Sequence, residues 1–121
     1  MNIVTKFLTY QNQVKILHWQ TTSYSQHMTL GSLYDSLSEN IDEFIEVFSG
    51  KYGRIVAQDS FKIFLENYEN MNPQSLMNEI ENYLINELPS MLDKTKDSDL
   101  LNIRDEILAS VNKTKYLLTL R

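Results

Sequence analysis

Between Lys15 and Lys51 the sequence contains no Lys or Arg. The same stretch holds both histidines, His18 and His27, and five carboxylates: Asp35, Glu39, Asp42, Glu43 and Glu46. A concentrated negative field with imidazoles at its edge suits a divalent cation. The competing reading is a solvated acidic helix face with two ordinary histidines. Helix geometry separates the two. With His27 as angular origin at ~100° per residue, Asp42 falls near ~60° and Glu46 near ~100°, on a face distinct from the apolar stripe. Asp42 and Glu46 stand four residues apart, the spacing at which two carboxylates converge on one ion and repel each other without one. His27 and Asp42, however, lie roughly 22 Å apart along one helix axis, at 1.5 Å per residue. They can share a metal only if an antiparallel copy of the helix, related by a two-fold axis near Asp35 and Ser36, brings His27 of one chain beside Asp42 and Glu46 of the other. His18, at the end of the preceding helix, can join His27 across a short turn. Gly31 and Ser38 lie on the same face and would let another helix approach closely.

The run His18, Trp19, then His27, then Asp42, Glu43, Phe44, Ile45 and Glu46 resembles the signature of the Dps miniferritins, a ferritin-like family. The second-His-to-Asp and Asp-to-Glu intervals match that signature without a gap. The stretch from Asp97 to Arg121 is similar to the last helix of the family. The resemblance implies a ferritin-like four-helix bundle and an intersubunit ferroxidase site with His18, His27, Asp42 and Glu46 as iron ligands and Trp19 beside them. Three features depart from the family. Gly31 stands where a further carboxylate is usual, with Asp35 one turn later as a possible accessory ligand. The two histidines are three residues closer together than usual. A Lys-rich N-terminal tail, which serves DNA binding in some members, is absent. The chain looks closest to the small Dps-like proteins encoded by bacteriophages.

The elements that must carry these residues are all helical. Ile3, Phe7, Tyr10, Val14 and Leu17 form one stripe and predict a helix over 2–20. Leu30, Leu33, Tyr34, Leu37, Ile41, Phe44 and Phe48 predict a second over 26–49, ending at Gly50. Residues 50–58 form a break, and Phe61, Phe64, Leu65 and Tyr68 predict a short helix over 59–69. Asn72 and Pro73 make an N-cap and first-turn proline for a third long helix carrying Leu76, Ile80, Tyr83, Leu84 and Leu88. Pro89 should kink or end that helix. After the polar run at 93–99, Leu100, Ile103, Ile107, Val111 and Leu118 predict a last helix reaching almost to Arg121. The expectation is an all-α, ferritin-like four-helix bundle over 1–121 as a single domain. Its long connection carries a short helix and lets helices two and three run parallel.

Composition narrows the function. The chain has 121 residues, 42% hydrophobic and 22% charged, with three Gly and two Pro, as expected for a globular domain of long regular elements. Eleven basic against sixteen acidic residues give a net charge of −5, which argues against binding a phosphate backbone. The absence of cysteine excludes disulfides, thiolate catalysis and Cys-ligated zinc. No apolar run near the N-terminus is long enough for a signal peptide or a membrane span. The expected compartment is therefore the cytoplasm, or the host cytoplasm for a phage-encoded chain. No phosphate-binding glycine loop or nucleophile motif is present.

Two functions fit. In the first, the chain is a Dps-like miniferritin that oxidises Fe(II) with peroxide or dioxygen and stores the product in a homo-oligomer of up to twelve copies. Iron is then the metal and zinc its competitor. In the second, it is a non-catalytic helical assembly or interaction protein that keeps the fold and the two-fold contact without the iron chemistry.

Overall fold

The computed structural model describes residues 2–121. Four helices are present: α1 (Asn2–Gln20), α2 (Tyr24–Tyr52), α3 (Pro73–Asn82) and α4 (Ser98–Leu117). No strand occurs among the described residues. Among the described residues, no helix is long and apolar enough to cross a membrane. The four stripes read from the sequence face one another. Phe7, Tyr10, Val14, Leu17, Leu30, Leu37, Phe44, Leu76, Ile80, Tyr83, Leu84, Leu88, Leu100, Ile107 and Val111 are buried in one continuous core. At its centre Phe7 meets Phe44 edge-on with ring centroids 5.0 Å apart, and Tyr83 packs edge-on against both Phe7 and Tyr10 at 6.1 and 5.7 Å. Such edge-to-face contacts place a positive ring edge on a negative ring face.

Helix α1 packs on α2 and α3, and α4 packs on α2 and α3, so α2 and α3 stand on a diagonal. Polar contacts give the directions. Along the α2/α4 seam, Ser25 reaches the Leu120 carbonyl, Ser36 meets Ser110 at 2.8 Å, and Lys51 pairs with Asp99 at 3.2 Å. These two helices are therefore antiparallel, and the tight turn before α4 makes α3 antiparallel to α4 as well. Helices α2 and α3 consequently run parallel, as expected, and residues 54–72 must travel the length of the bundle between them.

That crossover contains no helix, contrary to the short one expected over 59–69. It runs as an extended strap along α1. Ile55 borders the same groove as Val4 and Leu8, and Lys62, Ile63 and Phe64 lie over Thr5, Lys6 and Tyr10. The side-chain amide of buried Gln13 binds both backbone groups of Glu66, donating to its carbonyl (2.8 Å) and accepting from its N–H (2.7 Å). Gln20 accepts from the Tyr68 N–H at 2.7 Å and donates to Asn67 at 2.8 Å. The expected apolar stripe has nothing to bury against, since Phe61, Phe64 and Leu65 are exposed, Phe64 by 85%. A helix this short forms only when tertiary packing supports it.

Three boundaries also move. Helix α2 begins at a Ser23 cap whose side chain accepts from the Gln26 N–H. It runs past Gly50 to Tyr52 and is capped by Gly53, whose φ of +97° is one that glycine adopts without strain. The extra turn carries Lys51 and Tyr52 to Asp97. Helix α3 breaks before the expected Pro89. A π turn over Tyr83–Glu87 and a 3-10 turn over Leu88–Met91 follow it. The Leu88 N–H bonds Tyr83 rather than Leu84. The freed Leu84 carbonyl accepts from Arg104 Nη1 at 2.8 Å. Proline clashes with the carbonyl four residues before it in an α-helix, and the widened turn relieves this. Helix α4 ends at Leu117, short of Arg121.

Asp97 closes the far corner. Its carboxylate accepts from the Tyr52 hydroxyl (2.5 Å) and the Asp93 N–H (2.9 Å). The Tyr52 bond, then the Asp93 N–H and nearby Lys51, hold the Asp97 carboxyl below its ordinary range against the opposing effect of burial. Tyr52 is correspondingly pushed up to about 12, chiefly by donating to that carboxylate. A carboxyl depressed in the folded state contributes stability that is complete above its unfolded pKa and drains away as pH falls through the folded value. Asp97→Asn should therefore lower stability at pH 7 and flatten the loss of stability below about pH 4, measured by urea melts across pH.

The buried hydroxyls of Tyr10 and Tyr83 have no hydrogen-bond partner. Burial, then the Glu87 carboxylate, pushes the Tyr83 phenol up to about 12. An unpaired buried hydroxyl is destabilising, whereas the ring it rides on is core. Tyr83→Phe should leave stability unchanged or raise it by up to ~1 kcal/mol, while Phe44→Ala costs ~3–5 kcal/mol, both read by chemical denaturation.

Candidate metal centre

The turn at 21–23 is short enough that His18, near the end of α1, faces His27, one turn into α2. Their rings stack with centroids 3.9 Å apart and 13° between planes. Each Nδ1 bonds the backbone of the other residue: His18 Nδ1 to the His27 carbonyl at 2.7 Å, and His27 Nδ1 to the His18 carbonyl at 2.8 Å. A carbonyl can only accept, so each Nδ1 carries the proton. In the neutral rings the lone pair then belongs to Nε2, the state required of a metal-ligating histidine. The pair also has a structural effect, since two reciprocal bonds across the α1/α2 corner fix the register of the helices.

Gly31 explains how the rings fit. A Cβ added there would stand 3.0 Å from His18 Cε1 and 3.3 Å from its Nδ1. The His18 ring occupies the space that a side chain at position 31 would need. The expectation that Gly31 admits a neighbouring element holds, and the neighbour is α1 of the same chain.

Asp42 and Glu46 lie exposed on the other half of α2. Glu46 is raised above the ordinary carboxylate range, first by its hydrogen bond with Asp42, then by the Asp42 charge, with a smaller contribution from Glu43. A cation placed between two neighbouring carboxyls would relieve the repulsion that raises one of them. Asp35 is exposed between the two halves. Among the described residues, none of Asp35, Glu39, Asp42, Glu43 and Glu46 forms an ion pair within the chain.

The structure therefore brings His18 to His27, and Asp42 to Glu46, but keeps the two pairs apart on one continuous helix. No group of three or more His, Asp or Glu able to hold a metal is found within the chain among the described residues. Asp35 joins neither pair.

Two features escaped the sequence reading. A groove of about 550 Å³ runs between α1, α2 and the crossover, with Val4, Leu8, Ile41, Ile45 and Ile55 as its apolar floor and Asp35, Glu39 and Asp42 on its rim. The part played by Ile55 could not be read from a segment with no helical period. The Lys15 ammonium sits 4.4 Å from the Tyr34 ring centroid and 5.5 Å from that of Trp19. The i, i+4 spacing of Lys15 and Trp19 was the available signal for half of this arrangement. Trp19 is 66% exposed and is not a core residue.

The chain belongs to the family described as "Family of unknown function (DUF5856)", which matches residues 18–118, from His18 to the end of the bundle. No curated protein and no solved structure matches it.

The contact between Gly31 and His18 can be isolated by a double-mutant cycle. Glycine inside a helix is ~1 kcal/mol worse than alanine, so Gly31→Ala would ordinarily stabilise. Here the methyl meets a ring pinned by stacking and by a backbone bond. Gly31→Ala should destabilise the wild type by ~1–3 kcal/mol and stabilise the His18→Ala variant by ~0.5–1 kcal/mol in urea denaturation.

Proposed function

We propose that this member of the family is a Dps-like, ferritin-like protein that binds Fe(II) as substrate at sites shared between two-fold-related copies of the chain. The observation that carries the reading is the division of donors along α2. Two imidazoles with Nε2 available sit at one end, and two carboxyls without a cation sit at the other. A parallel α2 and α3 joined by a long crossover is the arrangement a ferritin-like bundle requires. Two imidazoles and two carboxylates suit iron(II), with zinc as competitor. In this scheme His18 and His27 supply neutral nitrogen donors whose orientation is held by the carbonyl bonds. Asp42 and Glu46 of the partner balance the ion's charge, and Fe(II) gives up an electron to dioxygen or peroxide. With Gly31 in place of a carboxylate the site is less negative than the family pattern, so weaker binding or one ion per site is expected. Asp35, eight residues from His27 on α2 and at the level of the axis, stands roughly 12 Å along the helix from either site and takes no part in it. A closed homo-oligomer of up to twelve copies would store the product.

The second reading is a helical assembly protein without iron chemistry. It is favoured by the completeness of the histidine contact, in which stacking and reciprocal bonds suffice as a corner clamp. Anaerobic Fe(II) titration followed by admission of oxidant separates the two. Wild type should bind iron and oxidise it rapidly, and His27→Ala combined with Asp42→Ala should weaken binding at least tenfold. Equal behaviour of the two proteins would exclude the iron reading and leave the assembly reading.

A further inference from the structure

The α1/α2 face carries charges and apolar groups that find no counterpart among the described residues. Its acidic strip has no ion pair among the described residues. Its cation, Lys15, contacts two aromatic rings and forms no ion pair among the described residues. At one end of the face Trp19 and Met28 are 66% and 53% exposed, and at the other end lies the groove floored by Ile41, Ile45 and Ile55.

Under the two-fold axis that the proposed function requires, these unmatched features map onto one another. The stacked rings put residue 18 of α1 level with residue 27 of α2. The helices are antiparallel, so Trp19 lies level with about position 26 of α2. The Lys15 ammonium is level with Tyr34, over whose ring it sits. An axis crossing α2 near Asp35 and Ser36 sends the level of Tyr34 to about position 37, between Asp35 and Glu39. It sends the level of Trp19 to about position 45, at the groove. A cation thus meets two carboxylates, and an exposed indole meets an apolar recess, twice over by symmetry.

We propose that the α1/α2 face docks a second copy of this chain, with each Lys15 paired to the partner's Asp35 and Glu39 and each Trp19 seated in the partner's Ile41, Ile45 and Ile55 groove. The inference rests on the two-fold sharing in the proposed function and adds to it the residues that set the register. Lys15 is a positioning residue here. The cation–π contacts with Tyr34 and Trp19 hold its ammonium at the level where the partner's carboxylates arrive.

The test uses the full chain in chelator, free of metal, by sedimentation over a concentration series with Trp19 emission followed in parallel. Trp19 is the sole tryptophan, so its emission reports on the groove directly. Wild type should self-associate with a blue shift of emission. Lys15→Glu should weaken association at least tenfold and keep the emission red. Combining it with Asp35→Lys and Glu39→Lys should restore both, which a merely misfolded Lys15→Glu could not do. A monomeric wild type, an unaffected Lys15→Glu, or a loss that the charge swap fails to restore overturns the proposal. Association through Lys15 in a chain that ignores Fe(II) would remove the iron reading alone. Iron binding through His27 and Asp42 that is indifferent to Lys15→Glu would remove this inference alone.

Discussion

The length and stiffness of α2 govern the molecule. Its 29 residues span ~43 Å at 1.5 Å per residue, and every feature of interest is hung on it at a set height. The histidine clamp is at one end, the Tyr52 and Asp97 corner at the other, and the acidic strip lies between. Because a helix cannot fold back on itself, imidazoles at its start and carboxyls in its second half can never meet in one chain. Chemistry that needs all four groups must come from a second copy.

The same rod sets the problem that the crossover solves. With α2 parallel to α3, the chain has to return along the whole bundle, and residues 54–72 coiled as a helix would cover only roughly 28 Å of it. Residues 54–72 instead lie extended on α1, tied down by side-chain amides that take the place of a neighbouring strand. Gln13 is the clearest case. It is 2% exposed in an apolar stripe, where a polar group would be costly, and both ends of its amide are satisfied by Glu66. At the opposite corner the Lys51, Tyr52 and Asp97 cluster sets the α3–α4 turn against the end of α2.

Much of this was legible in residue spacing. The four apolar stripes predict which residues are buried, because a 3.6-residue period has one way to face a common core. The histidines, the acidic pair and the small residue at 31 were also visible as types at positions. What could not be read was which contact each small or polar residue served. Gly31 stood as a place for another helix to approach, and only coordinates identify its occupant as the His18 ring. The expected helix over 59–69 followed from local spacing, and it fails because Phe61, Phe64 and Leu65 find no surface to cover. The break at Tyr83 arises from Pro89 six residues on, relieved through Arg104 of another helix, a coupling that no local window contains.

Sequence alone determined the periodicity, and with it the core, the four helices and the distance between the imidazole and carboxyl ends of α2, since helical rise converts residue number directly into length. Tertiary structure decided the path of the crossover, the place where α3 breaks, and the carbonyl bonds that assign the proton on each histidine to Nδ1. Each of these depends on groups far apart in the chain that compete for the same backbone donors and acceptors, and that competition is settled only when the helices are packed.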